Sequence, residues 1–257
     1  MKTNYQRLDI LLAERGLAES RAKAQRLIYA GQAQVDGQTI LKPSHEVSLA
    51  AVIALKDQAK FVSRGGDKLD HALNVFAVSP AGKICLDVGA STGGFTDSLL
   101  QRGAKKVFAV DVGAGQIHWK LRQDQRVIVL DQTNARYLSP DHLAERPQLA
   151  VVDVSFISLT KVLPAVINVL TSGASVIALV KPQFEAERRE NKRGVVNDPA
   201  VRRRVVEDIK QFGTQKLALE FKAVCESPLK GPAGNVEFFI YWIRPAQQGC
   251  CGGQVKP

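Results

Sequence analysis

The segment Asp87-Val88-Gly89-Ala90-Ser91-Thr92-Gly93-Gly94-Phe95 puts a carboxylate at the end of an apolar run and follows it with a glycine-rich turn. A dinucleotide-binding turn has the form Gly-x-Gly-x-x-Gly and rests a pyrophosphate on a helix N-terminus. Here Ser91 stands where the second glycine belongs, and Asp87, two residues before the first, would repel a pyrophosphate. The turn suits a ligand with an ammonium group and no phosphate, and S-adenosylmethionine (SAM) is such a ligand. Asp111 lies twenty-two residues after Gly89, where an acidic side chain can accept both hydroxyls of a ribose. Asn134, in Asp131-Gln132-Thr133-Asn134, offers an amide to an adenine edge. The expected cofactor set is Asp87, Gly89, Ser91, Thr92, Gly93, Phe95, Asp111, Val112, Asn134 and Asp153. A nicotinamide dinucleotide is the weaker alternative.

Two further segments narrow the reaction. Asp153-Val154-Ser155-Phe156 and Lys181-Pro182-Gln183-Phe184 each follow an apolar run. Methylation of an exocyclic base amine usually employs an Asn/Asp-Pro-Pro-Tyr/Phe clamp, which Asp153-Val154-Ser155-Phe156 is not. Methylation at C5 of a pyrimidine needs a nucleophilic cysteine. Cys85 and Cys225 sit in apolar runs, where cysteine packs as a small hydrophobe, and Cys250 and Cys251 lie in a Gly-rich tail. A lysine and a carboxylate remain, and they suit an oxygen nucleophile such as a ribose hydroxyl. That hydroxyl must lose its proton as it attacks, and a partly desolvated lysine near other cations can take it. Displacement at the methyl is in-line, so orientation and proton removal are most of the task. No metal is needed. There is no Cys-x-x-Cys and only four scattered His, so neither a zinc site nor a disulfide framework is expected.

These residues fall at the ends of elements that alternate. Strands are expected over Ile84–Val88, Val107–Asp111, Val127–Leu130, Leu149–Asp153, Val176–Val180, Leu217–Val224 and Val236–Ile243, with helices after Gly93, Ala114, Ser158 and Pro199. Such alternation builds a parallel sheet covered on both faces, and the short last connection predicts an antiparallel edge pair. The fold class is therefore α/β, a Rossmann-like seven-stranded domain over 68–245. Before it, Leu8, Leu11 and Leu12, then Ala24, Leu27 and Ile28, recur at helical spacing, with Ser20 as a cap between them. Strands flank an Asp36-Gly37 turn, and Val47 to Leu55 adds another, giving a small α+β domain over 1–60. Residues 61–67 read as a linker and 246–257 as a disordered tail.

The chain of 257 residues carries 35 Lys and Arg against 25 Asp and Glu, a net charge of +10 that fits a polyanionic partner. Arg7, Arg15, Arg21, Lys23 and Arg26 in the small domain, Arg64 in the linker, and Arg188, Arg189, Lys192 and Arg193 after the Lys181 segment are the expected RNA contacts. Phe156 and Phe184 either stack on an opened nucleotide or pack in the core. No apolar run is long enough to span a membrane and the first residues lack a signal peptide, so a soluble cytoplasmic protein is expected.

Arg7-Leu8-Asp9-x-x-Leu12, Ser20-Arg21-x-x-Ala24-x-x-Leu27-Ile28-x-x-Gly31 and Val35-Asp36-Gly37 resemble the S4-type RNA-binding domain, with Ala33 where that pattern usually has valine. Ser63-Arg64-Gly65-Gly66-x-Lys68-Leu69, the Asp87–Thr96 turn, Asp153-Val154-Ser155-Phe156, Lys181-Pro182-Gln183-Phe184-Glu185 and Asn235-x-Glu237 resemble the TlyA (hemolysin A) family. That family is similar to FtsJ-type ribose 2′-O-methyltransferases with an added S4-type domain. The resemblance implies a SAM-dependent rRNA (cytidine-2′-O)-methyltransferase, with ribosomal RNA or a ribosomal subunit as partner. It also implies a catalytic tetrad of Lys68, Asp153, Lys181 and Glu237. Lys181 would be the base or an orienting cation. Asp153 and Glu237 would hold the lysines and the ribose, and Lys68 would supply field or position the nucleotide. Two departures are Asp67 beside the tetrad lysine and Asp131-Gln132 where the family often has Glu-Arg. The alternatives are an RNA-binding assembly factor with an inactive methyltransferase domain, and a hemolysin. Lysis needs an amphipathic or spanning element, and the sequence offers neither.

Overall fold

A computed structural model describes residues 4–56, 60–191 and 193–246. The chain divides into two compact units, Met1–Ala59 and Lys60–Pro257. The expected tail falls outside the described residues from 247 onward.

The small unit contains β1 (Tyr5–Arg7), α1 (Leu8–Glu14), α2 (Arg21–Tyr29), β2 (Ala33–Val35), β3 (Gln38–Thr39), β4 (Glu46–Ser48) and β5 (Ile53–Leu55). Ser20 caps α2 by accepting from the backbone N–H of Lys23 at 3.2 Å. Leu8, Leu11, Leu12, Ala24, Leu27 and Ile28 are buried together, as their spacing requires. The run Val47–Leu55 is two strands, not one: β4 pairs with β1 and β5 with β2. Between them the chain turns, and Arg15 donates to the carbonyls of Leu49 and Ala51. β1 has no sequence signal of its own; it is a strand because β4 pairs with it.

The large unit begins with α3 (Arg64–Val75). The expected linker over 61–67 is thus too long. Phe61 is buried against the first turn of α3, where any side chain on Gly66 would collide with the phenyl ring. Then follow β6 (Ile84–Val88), α4 (Gly94–Gln101), β7 (Lys106–Val110), α5 (Trp119–Arg122), β8 (Val127–Leu130), β9 (Leu149–Val152), α6 (Leu159–Val169), β10 (Ser175–Val180), α7 (Pro182–Glu185), α8 (Pro199–Gln211), β11 (Glu220–Glu226) and β12 (Phe238–Ile243). The sheet order is β11-β12-β10-β9-β6-β7-β8. The five strands from β10 to β8 are parallel, and β12 runs antiparallel to both β10 and β11. The expected antiparallel pair is present, with the last strand inserted inside the sheet rather than at its edge. β11 starts at Glu220, not Leu217, because residues 212–216 extend α8 as a wide turn with Gly213 against the Trp242 indole.

Alternate strand residues feed two apolar layers. Leu86, Val88, Phe108, Val152 and Ile240 face α6 and α8 through Val162, Val166, Val205 and Ile209. Cys85, Ala109, Val151, Ile177 and Phe239 face α3 and α4 through Leu69, Leu73, Phe95 and Leu99. No helix among the described residues is long and apolar enough to cross a membrane.

Candidate active site

The parallel strands all end on one rim of the sheet. β12 starts on that same rim, because Phe238 pairs with Val180. A cavity of about 470 Å³ opens there, lined by Gly89, Ser91, Asp111, Val112, Asn134, Asp153, Ser155 and Phe156 among others. Six of the ten expected cofactor residues are in that lining.

Gly89 has φ +84°, and any side chain on it would run into the backbone carbonyl of Asp153. Only glycine lets the ends of β6 and β9 approach so closely. Asp111 holds the two neighbouring loops together by accepting from the N–H of Ser91 at 2.8 Å and of Gly113 at 2.7 Å. Asn134 accepts from the N–H of Arg136 at 3.1 Å, which fixes the turn that bears it. Asp131, in the same segment, pairs with Arg122 at 2.8 Å.

Four expected cofactor residues lie outside the lining. Asp87 is fully buried beneath the turn; Thr96 donates to its Oδ2 at 2.6 Å, and its Oδ1 has no partner among the described residues. Burial pushes its carboxyl up to about 7 against the Thr96 hydrogen bond, and the nearby Asp153 charge adds to the rise. Phe95 packs against Phe239 in the core at 6.1 Å between centroids, because the first turn of α4 faces the sheet. Gly93 is the buried N-cap of α4, and Thr92 is exposed on the turn.

The tetrad residues form two lysine–carboxylate pairs. Lys181 Nζ lies 2.6 Å from Asp153 Oδ1 and donates to Ser155 Oγ at 2.8 Å. Lys68 Nζ lies 2.6 Å from Glu237 Oε2, and both are almost entirely buried. Glu237 Oε1 has no partner among the described residues. Three contributors stand in the motifs quoted from the sequence but are given no role there. Ser155 is a second anchor for Lys181, signalled only by its place two residues after Asp153. Asn235 ties the basic segment to the strand that follows it, accepting from Val196 N–H at 3.0 Å and donating to the Gly194 carbonyl at 2.8 Å. Glu185 caps α6 by accepting from Leu159 N–H at 2.8 Å, and burial raises its carboxyl.

Phe156 is 91% exposed and has φ +62°, a left-handed conformation that costs a bulky residue strain. Its ring leans on Phe184 at 5.0 Å. Core packing is thereby ruled out for Phe156. Cys85 and Cys225 are poor nucleophiles: burial pushes the Cys85 thiol up to about 12 and the Cys225 thiol to about 11.

The expected RNA-contacting cations divide by what they already hold. Arg7 and Arg21 bond Asp9, Arg15 bonds backbone carbonyls, and Arg64 donates to the Lys230 carbonyl at 2.8 Å. Arg189 pairs with Glu187 at 2.8 Å. Arg26, Arg188 and Arg193 are exposed and Lys23 partly so; Lys192 lies outside the described residues.

Residues 61–244 match the family model of FtsJ-like methyltransferases, and residues 6–53 match that of the S4 domain. The chain is 47% identical over 241 residues to the 16S/23S rRNA (cytidine-2′-O)-methyltransferase TlyA of Mycobacterium tuberculosis, covering 93% of this chain and 89% of that protein. It is 40% identical to Hemolysin A of Brachyspira hyodysenteriae, covering 92% and 99%. A solved structure of a Streptococcus thermophilus protein that carries the hemolysin name superposes with a TM-score of 0.73 at 41% identity, covering 94% and 89%. Because these matches run through both units at up to 47% identity, and the large unit carries the glycine-lined rim with two lysine–carboxylate pairs, the chain belongs to the TlyA family of FtsJ-like methyltransferases, with an S4 domain ahead of the methyltransferase domain.

Proposed function

We propose that this chain methylates a ribose 2′-hydroxyl of a cytidine in ribosomal RNA, in the cytoplasm, with SAM as donor. The observation that carries this reading is Lys181, held 2.6 Å from Asp153, which itself lines the cavity. The residues fit the donor. Asp111 offers a carboxylate for ribose hydroxyls, Asn134 an amide for adenine and Gly89 no side chain to fill the space between, while Asp87, beneath the turn and outside the lining, has an unpartnered buried oxygen whose charge can draw an ammonium. When bound, SAM supplies an electrophilic methyl group on a sulfonium.

The chain's own residues do the rest. Asp153 and Ser155 fix the Lys181 amine beside the cavity, where in its neutral form it takes the proton of the attacking hydroxyl. The Lys68–Glu237 pair sets a second charged group on the same rim. Phe156 offers an exposed ring to a nucleotide turned out of its helix. The S4 domain and the exposed Arg188 and Arg193 add sequence-independent grip on phosphates.

Incubating the protein with tritiated SAM and isolated ribosomal subunits, then digesting the RNA, tests the reading. Label on a cytidine 2′-oxygen is expected. Label on a base, or none together with no heat on titrating SAM, would leave an RNA-binding protein without this reaction.

Two predictions concern the cofactor. Asp111→Ala is expected to weaken SAM binding by about 1–3 kcal/mol, the worth of a lost charged hydrogen bond, measured calorimetrically. An unchanged affinity would place the ribose elsewhere. Because the Asp87 carboxyl is raised to about 7 in the free protein, it is protonated below that pH and must ionise to hold an ammonium. SAM affinity is therefore expected to rise about fivefold between about pH 6 and pH 7, below the range where the ligand's own ammonium loses its proton. Asp87→Asn should bind weakly with a flat profile, and a flat profile in the unaltered protein would separate Asp87 from the cofactor.

A further inference from the structure

We infer that Asp9 is the organiser of a phosphate clamp: a buried carboxylate that fixes Arg7 and Arg21 against one another so that both grip an RNA backbone. The inference rests on reading the N-terminal unit as RNA-binding.

Asp9 lies in the first turn of α1 and is completely buried. It accepts four side-chain hydrogen bonds. Arg7 binds it bidentately, Nε to Oδ1 and Nη2 to Oδ2, both at 3.0 Å. Arg21 Nε and Gln25 Nε2 reach the same Oδ2 at 2.9 and 2.8 Å. Two guanidinia thus share one oxygen atom, an approach of like charges that only the carboxylate between them makes tolerable. The hydrogen bonds of Arg7, then of Gln25 and Arg21, hold the Asp9 carboxyl far below the usual carboxylate range despite its burial, so it stays ionised.

Structure alone does not call for such a cluster. A buried ion network costs desolvation, and an apolar side chain of similar volume often packs as well. What the network supplies is orientation. The arginine side chains remain 39% and 54% exposed. Each guanidinium has five N–H donors in a fixed plane. Arg7 spends two on Asp9 and Arg21 one, which leaves three and four without other partners among the described residues. The local charge is one net positive, and its donors are locked in forks that match phosphate oxygens. Arg21, Gln25 and Tyr29 form one stripe of α2 at helical spacing, along the edge of the face that buries Ala24, Leu27 and Ile28. Tyr29 is exposed at the end of that stripe, an aromatic face for an unstacked base beside the clamp.

Asp9→Asn separates this role from plain electrostatics, because the two predict opposite signs. Removing a negative charge raises the net charge, and charge counting alone makes RNA bind more tightly. Loss of the clamp makes it bind more weakly. Titrating a fluorescein-labelled RNA hairpin into the full chain by anisotropy, about tenfold weaker binding is expected for Asp9→Asn, with the slope of log affinity against log salt smaller by about one to two. Affinity at or above that of the unaltered protein, with thermal unfolding unchanged, overturns the proposal. If Asp9→Asn unfolds the unit, Arg7→Lys with Arg21→Lys decides. That pair keeps Asp9 and every charge but loses the forks, and about tenfold weaker binding is again expected; unaltered affinity overturns the clamp. Arg7→Glu with Arg21→Glu tests the underlying reading. No loss of RNA binding there removes the N-terminal unit from RNA recognition altogether. Loss there, with unaltered binding in the Asn and Lys variants, removes the clamp alone.

Discussion

Replacing Lys181 by methionine is expected to lower the rate of methyl transfer about 10²- to 10⁴-fold, the usual contribution of a positioned proton acceptor. The effect should fall on kcat, because the donor's expected partners, Asp87, Asp111 and Asn134, are untouched. Methionine preserves the apolar stem, which packs at the end of β10 with little exposure. Single-turnover transfer of labelled methyl to ribosomal subunits gives the rate, and SAM calorimetry should read nearly unchanged. Lys181→Arg then separates two roles. An arginine keeps a cation beside Asp153 but cannot give up its proton. A dead arginine variant identifies a base, and a partly active one an orienting charge. Full activity in Lys181→Met would end the mechanism.

Glu237→Ala should cost about 3–5 kcal/mol of stability, because it strands the Lys68 ammonium inside the protein without a counter-charge. The pair is nearly without solvent: Lys68 is 7% exposed and Glu237 1%. Water therefore cannot compensate for the missing carboxylate. Urea unfolding of the large unit should show the loss as a lower midpoint at a constant slope. The double variant Lys68→Met with Glu237→Leu is expected to regain most of that stability, since an apolar pair replaces a charged one without leaving either ion alone. It should still fail to transfer methyl. Recovery of activity together with stability would reduce this pair to scaffolding. A Glu237→Ala midpoint matching the unaltered protein would mean that Lys68 finds another anion.

The chemistry at strand ends was legible because apolar runs are easy to delimit. Asp153 and Lys181 could be placed on the rim from the residues before them alone, and Pro182 after Lys181 marks where β10 must stop. The Lys68–Glu237 pair joins positions 169 apart. No spacing rule links them, and only the resemblance brought them together. Asp87 and Phe95 lie in the glycine-rich motif that marks the cofactor turn, yet one is buried under the turn and the other in the core. A motif reports proximity to the site, and the pleat of β6 and the roll of α4 decide which side chains emerge. Strand order was the least accessible. Nothing in the composition of Phe238–Ile243 says that it enters between two earlier strands.

That late insertion has a consequence for the rim. β12 runs against its neighbours, so its leading end, with Glu237 just ahead of it, arrives on the rim only after the strand has slotted between β10 and β11. The anion that neutralises Lys68 thus comes from the far end of the large unit, 169 residues on, so the first helix of that unit and its last strand are tied at a single buried ion pair.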